Sequence, residues 1–176
     1  MLIAVWHLPA QLAIIQPQHI MVTQPDLRAM AWIEQNTPAN ARFLVEGFSI
    51  MDGVQAVGAD AGWWLPLLAG RANTMPPQYA MLNERAAPPD YTWQIVELVK
   101  TIESQSVQAP AVQQMLCDLD VTHVYIGQRQ GEVGFDVLQL FTAEELDAGP
   151  AFQLLYHADL VYIYAFDRRV CANHAG

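Results

Sequence analysis

The stretch that decides the fold is DYTWQIVELVKTIESQSVQAPAVQQMLCDLDVTHVYIG, residues 90–127. Apolar residues recur in its first half at the three- and four-residue spacing of an amphipathic helix, at Tyr91, Ile95, Leu98, Val99 and Ile102. Pro110 begins a second helical pattern, and VTHVYIG then has the composition of a strand that ends at a glycine. Two helices followed by a strand are typical of an α/β domain.

A hairpin is predicted near the C-terminus. The segment FQLLYHADLVYIYAF, residues 152–166, contains two β-rich runs on either side of Ala158 and Asp159. A third helix is predicted over 136–146, with Thr142 and Glu145 at the spacing of an internal cap. Because the strands of a hairpin are antiparallel, the central sheet is expected to be mixed.

A helix and a strand are predicted on the N-terminal side. In TQPDLRAMAWIEQNTP, residues 23–38, Thr23 and Asp26 form a capping-box pattern around Pro25. The next run, ARFLVEGF, residues 41–48, is predicted to be one buried strand. The whole pattern predicts a single α/β domain over 23–170, a mixed central sheet covered by helices with a C-terminal hairpin, followed by a tail at 171–176.

Residues 49–90 are rich in glycine and proline and predict a long loop region. Two short strands are expected there, at Val54–Val57 and Ala72–Met75, and WWLPLLAG is expected to form a brief helix or turn. Loops of this length in a compact domain are usually functional or disordered, and the aromatic content argues against disorder.

Composition excludes several classes of function. The chain of 176 residues is 53% hydrophobic, which excludes intrinsic disorder and suffices for one core without metal or disulfide support. Its net charge is −10 and it has only eight Lys and Arg residues, so a nucleic-acid partner and an anionic membrane surface are both disfavoured.

The apolar segment 1–22 is a separate feature. It lacks the basic region and cleavage site of a signal peptide, and its apolar run of fifteen residues is too short to cross a bilayer. It fits either a packed N-terminal element or a remnant next to a membrane helix. No other segment is long enough to span a membrane, so the isolated chain is expected to be soluble.

The two cysteines, Cys117 and Cys171, have no zinc or redox spacing. The simplest interpretation makes Cys117 a buried apolar residue of a helix and Cys171 part of the tail. A disulfide between them remains open, because it requires an oxidising compartment that the sequence does not reveal.

No complete catalytic set is apparent. The common nucleotide-binding, metalloprotease and hydrolase motifs are absent, so no catalytic residue, metal or cofactor is predicted. The five histidines are unpaired in sequence, and His123 is interpreted as a packed histidine of a strand rather than as a base.

The richest candidate for a ligand site is the loop from Gly58 to Tyr79. Neighbouring side chains of an extended chain point in opposite directions, so one of Trp63 and Trp64 is expected to be partly exposed. An exposed indole near Asp60 and Arg71 could stack on a sugar ring while the charged groups bind its hydroxyls. The alternative is that both tryptophans fill a secondary core beneath the loop.

A second candidate is the loop Gly127–Gly131, which contains Arg129. It follows the strand VTHVYIG, and ligands of α/β sheets favour the ends of strands. The alternative is an ordinary loop bounded by glycines.

One family resemblance accompanies these patterns. The segment AMAWIEQNTPANARFLVEGF resembles the entry into the extracytoplasmic C-terminal domain of bacterial polytopic GT-C-type membrane glycosyltransferases, which are similar in plan to protein mannosyltransferases and oligosaccharyltransferases. DAGWWLPLLAGR, VTHVYIG and LLYHADLVYIYAF follow in the same order. The resemblance covers roughly 23–166, and its motifs are structural rather than catalytic.

The resemblance implies a non-catalytic accessory domain at the extracytoplasmic face of the bacterial cell membrane. Its parent enzyme would use a polyprenyl-phosphate sugar donor, and its partners would be the membrane-embedded part of that parent and a glycan or lipid-linked sugar. The candidate ligand-binding residues are those of the two loops described above: Asp60, Trp63, Trp64, Arg71 and Arg129. A free-standing carbohydrate or small-ligand binding module is the alternative, and a small hydrolase that uses His123 is a third hypothesis.

Overall fold

The computed structural model describes residues 20–76, 90–130 and 139–172. Within these ranges the chain forms seven strands: β1 (Arg42–Leu44), β2 (Gly47–Ile50), β3 (Gln55–Gly58), β4 (Ala72–Asn73), β5 (His123–Ile126), β6 (Phe152–Ala158) and β7 (Val161–Phe166). The same ranges contain the helices α1 (Gln24–Asn36), α2 (Leu65–Leu68), α3 (Tyr91–Gln105), α4 (Pro110–Asp118), α5 (Ala143–Asp147) and α6 (Arg169–Ala172), with a 3-10 helix at Ala61–Trp64 before α2.

Five strands form a central mixed sheet in the order β4-β1-β5-β7-β6. β1 pairs in parallel with β4 and with β5, whereas β7 pairs antiparallel with both β5 and β6. A separate antiparallel ribbon joins β2 and β3. The predicted fold class, a mixed sheet covered by helices with a C-terminal hairpin, is confirmed.

The core lies between the central sheet and its helices. α3 packs on β2 and β3 and also contacts α4, while α1 contacts α2 and β7. The predicted apolar face of α3 is buried, with Ile95, Leu98 and Val99 fully enclosed. The strand β5 is buried along its whole length and lies inside the sheet, between β1 and β7.

The predicted start of α1 is confirmed, and the Thr142–Glu145 cap forms at the start of α5 rather than inside a longer helix. Thr23 and Asp26 form a reciprocal capping box at the start of α1, and Thr142 and Glu145 form another at the start of α5. The α5 prediction was too long, however. Helix begins only at Ala143, while residues 136–138 lie outside the described ranges.

The prediction of one strand over residues 41–48 is wrong. β1 ends at Leu44 and belongs to the central sheet, whereas β2 begins at Gly47 and belongs to the ribbon. Glu46 lies at the break, where its carboxylate is buried and accepts two hydrogen bonds. A buried carboxylate must find donors, and here the donors lie outside the sheet.

The C-terminal hairpin closes through a tight turn at Asp159 and Leu160. Both residues have positive φ, 50° and 67°, as the central residues of a type I′ turn do. The twist of such a turn matches that of the flanking strands, which explains why the two β-rich runs pair directly.

The two cysteines form the disulfide that the sequence left open. Cys117 is a buried helix residue, as interpreted, whereas the placement of Cys171 in a tail is wrong, because it lies in α6. The bond joins α4 to α6 across 54 residues of sequence, with a Cα–Cα distance of 5.7 Å. It holds the end of the described chain against the helical layer. In the described part of the chain, no helix has the length and apolar character needed to cross a bilayer.

Candidate functional site

Asp60 joins the two loops that the sequence singles out. It follows β3 and caps the 3-10 helix, where one carboxylate oxygen accepts a hydrogen bond of 2.8 Å from the Gly62 amide. The other oxygen accepts a bond of 2.7 Å from the amide of Gly127, at the end of β5. The loop that contains Trp63 and Trp64 (the tryptophan loop) and the loop that begins at Gly127 (the loop after β5) are therefore both bound to the Asp60 carboxylate.

Both glycines that donate to Asp60 lack room for a side chain. A Cβ atom on Gly127 would lie 2.8 Å from an Asp60 oxygen, and one on Gly62 would lie 2.7 Å from Val45. These contacts explain why DAG and YIG both carry glycine at the point where the loops meet.

Two further buried carboxylates hold the loop after β5. Asp26 accepts hydrogen bonds from the Tyr125 hydroxyl at 2.8 Å and from the Gln128 amide at 3.0 Å. Glu46 accepts bonds from the Gln130 side chain at 2.6 Å and from the Leu140 amide at 2.7 Å. The amides that the sequence suggested for a ligand are thus largely bound to carboxylates of the protein itself.

Burial dominates the electrostatics of this region. Loss of solvent raises the pKa of Glu46 to about 7, although the bonds from Leu140 and Gln130 oppose that change. The pKa of Asp60 is raised well above its usual value by burial and then by the nearby charge of Glu46, against the lowering effect of the two glycine amides. Protonation of these groups is therefore coupled to the geometry of the loops.

The two adjacent tryptophans have different surroundings. Trp63 packs against Gly58, where a Cβ atom would lie 2.5 Å from the indole, and is half-buried. Trp64 is 42% exposed. The expected partial exposure of one indole is confirmed, although the backbone there is a 3-10 helix rather than an extended strand.

The Asn73 side chain fastens the backbone on which the two tryptophans lie. The Asn73 side-chain amide donates to the carbonyl oxygens of Gly62 and Trp63 at 2.9 and 3.0 Å. An exposed indole on such a fixed turn is able to stack on a flat apolar surface, such as one face of a sugar ring, with little loss of conformational freedom.

Arg71 lies at the end of this loop, where its guanidinium serves the fold. It donates to the backbone oxygens of Glu34 at 2.8 Å, Thr37 at 2.9 Å and Ala69 at 3.1 Å. It also donates to the Thr37 hydroxyl at 3.1 Å. The residue thereby ties residues 69–71 to the end of α1.

The loop after β5 borders a polar cavity of about 330 Å³. Its walls include Gln128 of the predicted loop and four residues that the sequence did not indicate as ligand groups, namely Gln139, Thr142, Glu144 and Tyr162. Tyr162 is opposite Ile126 in the β5–β7 pairing, so only the hairpin register could have indicated it. Arg129, the predicted ligand residue of this loop, is half-buried between the lining residues Gln128 and Gln130, and it is not free of partners.

His123 is packed within the sheet, which confirms the interpretation of this residue. Its ring stacks on Phe43 with a centroid distance of 4.9 Å, and its Nδ1 lies 2.8 Å from the Thr122 hydroxyl. Burial lowers the pKa of the imidazole. Among the residues that the structure describes, no group of three His, Cys, Asp or Glu side chains could hold a metal ion.

Comparison with known proteins gives one structural likeness to report. The crystal structure of the C-terminal globular domain of the oligosaccharyltransferase from Archaeoglobus fulgidus is 14% identical to this chain and superimposes with a TM-score of 0.47. The match covers 84% of this chain and 100% of that domain. No family model and no curated protein matches the chain. A likeness of this extent does not assign a function.

Proposed function

We propose that the chain is a non-catalytic, extracytoplasmic accessory domain of a bacterial membrane glycosyltransferase that uses a polyprenyl-phosphate sugar donor. In this role the domain would border the active site of the membrane-embedded part and shape the surface that meets a glycan or lipid-linked sugar. The reaction itself would belong to that membrane part.

The observation that carries the proposal is that the segments resembling such domains contact one another in pairs. Arg71 of DAGWWLPLLAGR bonds to Glu34 and Thr37 of AMAWIEQNTP. Asp60, the first residue of DAGWWLPLLAGR, accepts a hydrogen bond from the amide of Gly127 in VTHVYIG. The resemblance therefore lies in residues that depend on each other in three dimensions, which favours a shared architecture over a chance pattern.

The hairpin segment LLYHADLVYIYAF takes part in the same set of contacts. The ring centroids of Trp32 in α1 and of Tyr156 in the hairpin are 5.4 Å apart. Each of the four resembling segments thus touches another.

The disulfide supports the proposed location. Disulfides persist in oxidising compartments such as the periplasm and the cell exterior, and they are rare in the cytosol of most organisms. A bond between Cys117 and Cys171 therefore favours the extracytoplasmic side of the membrane.

The site residues take two roles under this proposal. Trp64, and Trp63 beside it, would meet the substrate at the loop surface, with Arg129 close to the neighbouring polar cavity. Asp60 and Arg71 would hold that surface in place, because their hydrogen bonds are made within the protein.

Transfer assays test the proposal. Membranes with the full-length parent protein should transfer sugar from a polyprenyl-phosphate donor, and deletion of residues 23–170 should reduce that transfer by at least about tenfold. The 176-residue chain alone should give no turnover. Turnover by the isolated chain, or full transfer after the deletion, would contradict an accessory role.

The exposure of Trp64 favours a second candidate, a free-standing carbohydrate or small-ligand binding module. This function predicts that the isolated chain binds glycans and that Trp64→Ala weakens binding about tenfold, the usual worth of one aromatic contact. Glycan binding that survives both Trp63→Ala and Trp64→Ala would remove this loop from the candidate function.

A further inference from the structure

A second concave surface lies between α3 and α4, on elements that do not contribute to the loops around Asp60. The groove has a volume of about 600 Å³, within the range of small-ligand sites. Its lining combines aromatic, aliphatic and charged side chains: Trp93, Val96, Glu97, Lys100, Asp118 and Leu119 are among them.

Trp93 is the first unusual feature of this groove. It lies in the first turn of α3 with 58% of its surface exposed, although an indole normally contributes to folding by burial. The helical spacing puts Trp93, Glu97 and Lys100 on one face, at i, i+4 and i+7. Trp93 and Glu97 therefore share one face of the groove, while the Lys100 ammonium lies at its edge beside Gly53, where a Cβ atom would be 2.5 Å from Nζ.

The floor of the groove is apolar. Val96 and Leu119 are buried beneath it, and Met115 is half-buried at its α4 side. A ligand that rests on Trp93 would cover this floor and remove apolar surface from water. Such burial is the main source of affinity for small ligands in shallow sites.

The rim supplies hydrogen-bonding groups with free capacity. Asp118 accepts one bond from Gln114 through Oδ1, which leaves its second oxygen available. Within the described ranges, neither the Glu97 carboxylate nor the Lys100 ammonium has a hydrogen-bonding partner. The groove therefore offers strong acceptors on both helices and one donor.

This combination disfavours two classes of ligand and suits a neutral sugar. An anion is disfavoured because two carboxylates face one ammonium in the groove and the whole chain carries −10. A wholly apolar ligand is disfavoured because it would desolvate the carboxylates without replacing their hydrogen bonds. A neutral sugar ring suits both the apolar surface and the carboxylates of the groove. Its apolar face stacks on indole, and its hydroxyls donate hydrogen bonds to carboxylates.

We propose that the α3–α4 groove is a binding site for a neutral pyranose unit, which stacks on Trp93 and donates hydroxyl hydrogen bonds to Glu97 and Asp118. Lys100 donates to a ring or hydroxyl oxygen at the far end. The site is distinct from the Trp64 loop and does not require the chain to be an accessory domain of a glycosyltransferase.

Amide chemical-shift mapping on the ¹⁵N-labelled 176-residue chain tests the site. The probes are methyl β-glucopyranoside, methyl α-mannopyranoside and N,N′-diacetylchitobiose, each titrated to about 100 mM because a single shallow sugar site binds with millimolar affinity. At least one probe should give saturable shifts confined to α3 and α4. Salt should leave the affinity unchanged because the ligand is neutral.

Variants separate stacking from hydrogen bonding. Trp93→Ala should weaken binding by at least about tenfold, Trp93→Phe should retain part of the affinity, and Glu97→Gln should weaken it about three- to tenfold. Glu103→Gln, an exposed position of the same helix outside the groove, is the matched control and should bind as the parent does. The amide spectrum of each variant shows whether it is folded.

Several results would overturn the site. They are the absence of shifts with all three sugars, shifts centred on Trp64 instead of α3 and α4, or equal affinity in Trp93→Ala and the parent chain. A loss of affinity with rising salt would likewise contradict a neutral ligand. None of these results bears on the transfer assays. The proposal of a sugar site in the groove and the proposal of an accessory role can therefore be contradicted independently.

Discussion

Glu46 is 1% exposed, and both of its carboxylate oxygens accept hydrogen bonds from Gln130 and Leu140. Its pKa is raised from 4.5 to about 7, chiefly by burial. A raised pKa in the folded state means that the protonated form stabilises the fold. This stabilisation is complete below pH 4.5 and is lost as the pH rises through 7.

Replacement of Glu46 by glutamine tests whether the protonation of this residue makes the unfolding free energy depend on pH. The difference between 4.5 and about 7 corresponds to about 3 kcal/mol of unfolding free energy, which the parent chain should lose between pH 4.5 and about pH 8. Glu46→Gln does not ionise, so in urea unfolding it should gain stability relative to the parent across that interval. Glu103→Gln should keep the slope of the parent. Parallel pH profiles for the parent and Glu46→Gln would contradict the assignment.

Arg71 supports a prediction about the tryptophan loop. Its planar guanidinium donates to Glu34, Thr37 and Ala69 at once, an arrangement that a lysine ammonium cannot reproduce. Arg71→Lys should therefore lower the unfolding free energy by about 2 kcal/mol. Arg168→Lys, at an exposed arginine paired with Asp120, should change it by less than about 0.5 kcal/mol. Equal effects of the two substitutions would show that the hydrogen bonds of Arg71 do not stabilise the fold.

The role of single residues was the least predictable part of the site. The sequence indicated the exposed tryptophan and the loop after β5, because local turn chemistry marks both. It did not indicate that Asp60 is buried, since its partner Gly127 is 67 positions away. Nor did it indicate the buried bonds of Glu46, whose donors at 130 and 140 follow from the folded chain alone.

At the scale of elements, α3 is the clearest test of the assigned core. Leu98 lies at the centre of its buried face and is fully enclosed. Leu98→Ala should lower the unfolding free energy by about 2–5 kcal/mol, because truncation removes buried surface and leaves a cavity. Glu103→Ala, at an exposed site of the same helix, should cost less than about 0.5 kcal/mol in the same denaturation experiment. A loss below about 0.5 kcal/mol for Leu98→Ala would mean that the helix face is assigned wrongly.

Elements governed by local rules were predicted well. The spacing of apolar residues gave α3 and α4, capping residues gave the start of α1, and the two β-rich runs gave the hairpin. The prediction failed at residues 41–48, where an apolar run was interpreted as one strand. The break at Glu46 depends on donors contributed by distant loops, which hydrophobic periodicity does not register.

At the scale of the whole molecule, the sheet order was beyond sequence reasoning. Placing β5 between β1 and β7 requires contacts that span 80 residues, and several orders would bury the same strands.

The disulfide is also a contact between residues distant in sequence. It encloses a loop of 54 residues, and closing such a loop typically adds about 2–4 kcal/mol of stability. It therefore restrains α6 against α4.

The proposed role requires this domain to belong to a larger protein of the membrane. An immunoblot of the source cells, with an antibody raised against the 176-residue chain, tests it most directly. The account predicts a band much larger than 19.6 kDa that sediments with membranes and requires detergent for release. A band at 19.6 kDa in the supernatant, with none in the membranes, would contradict it.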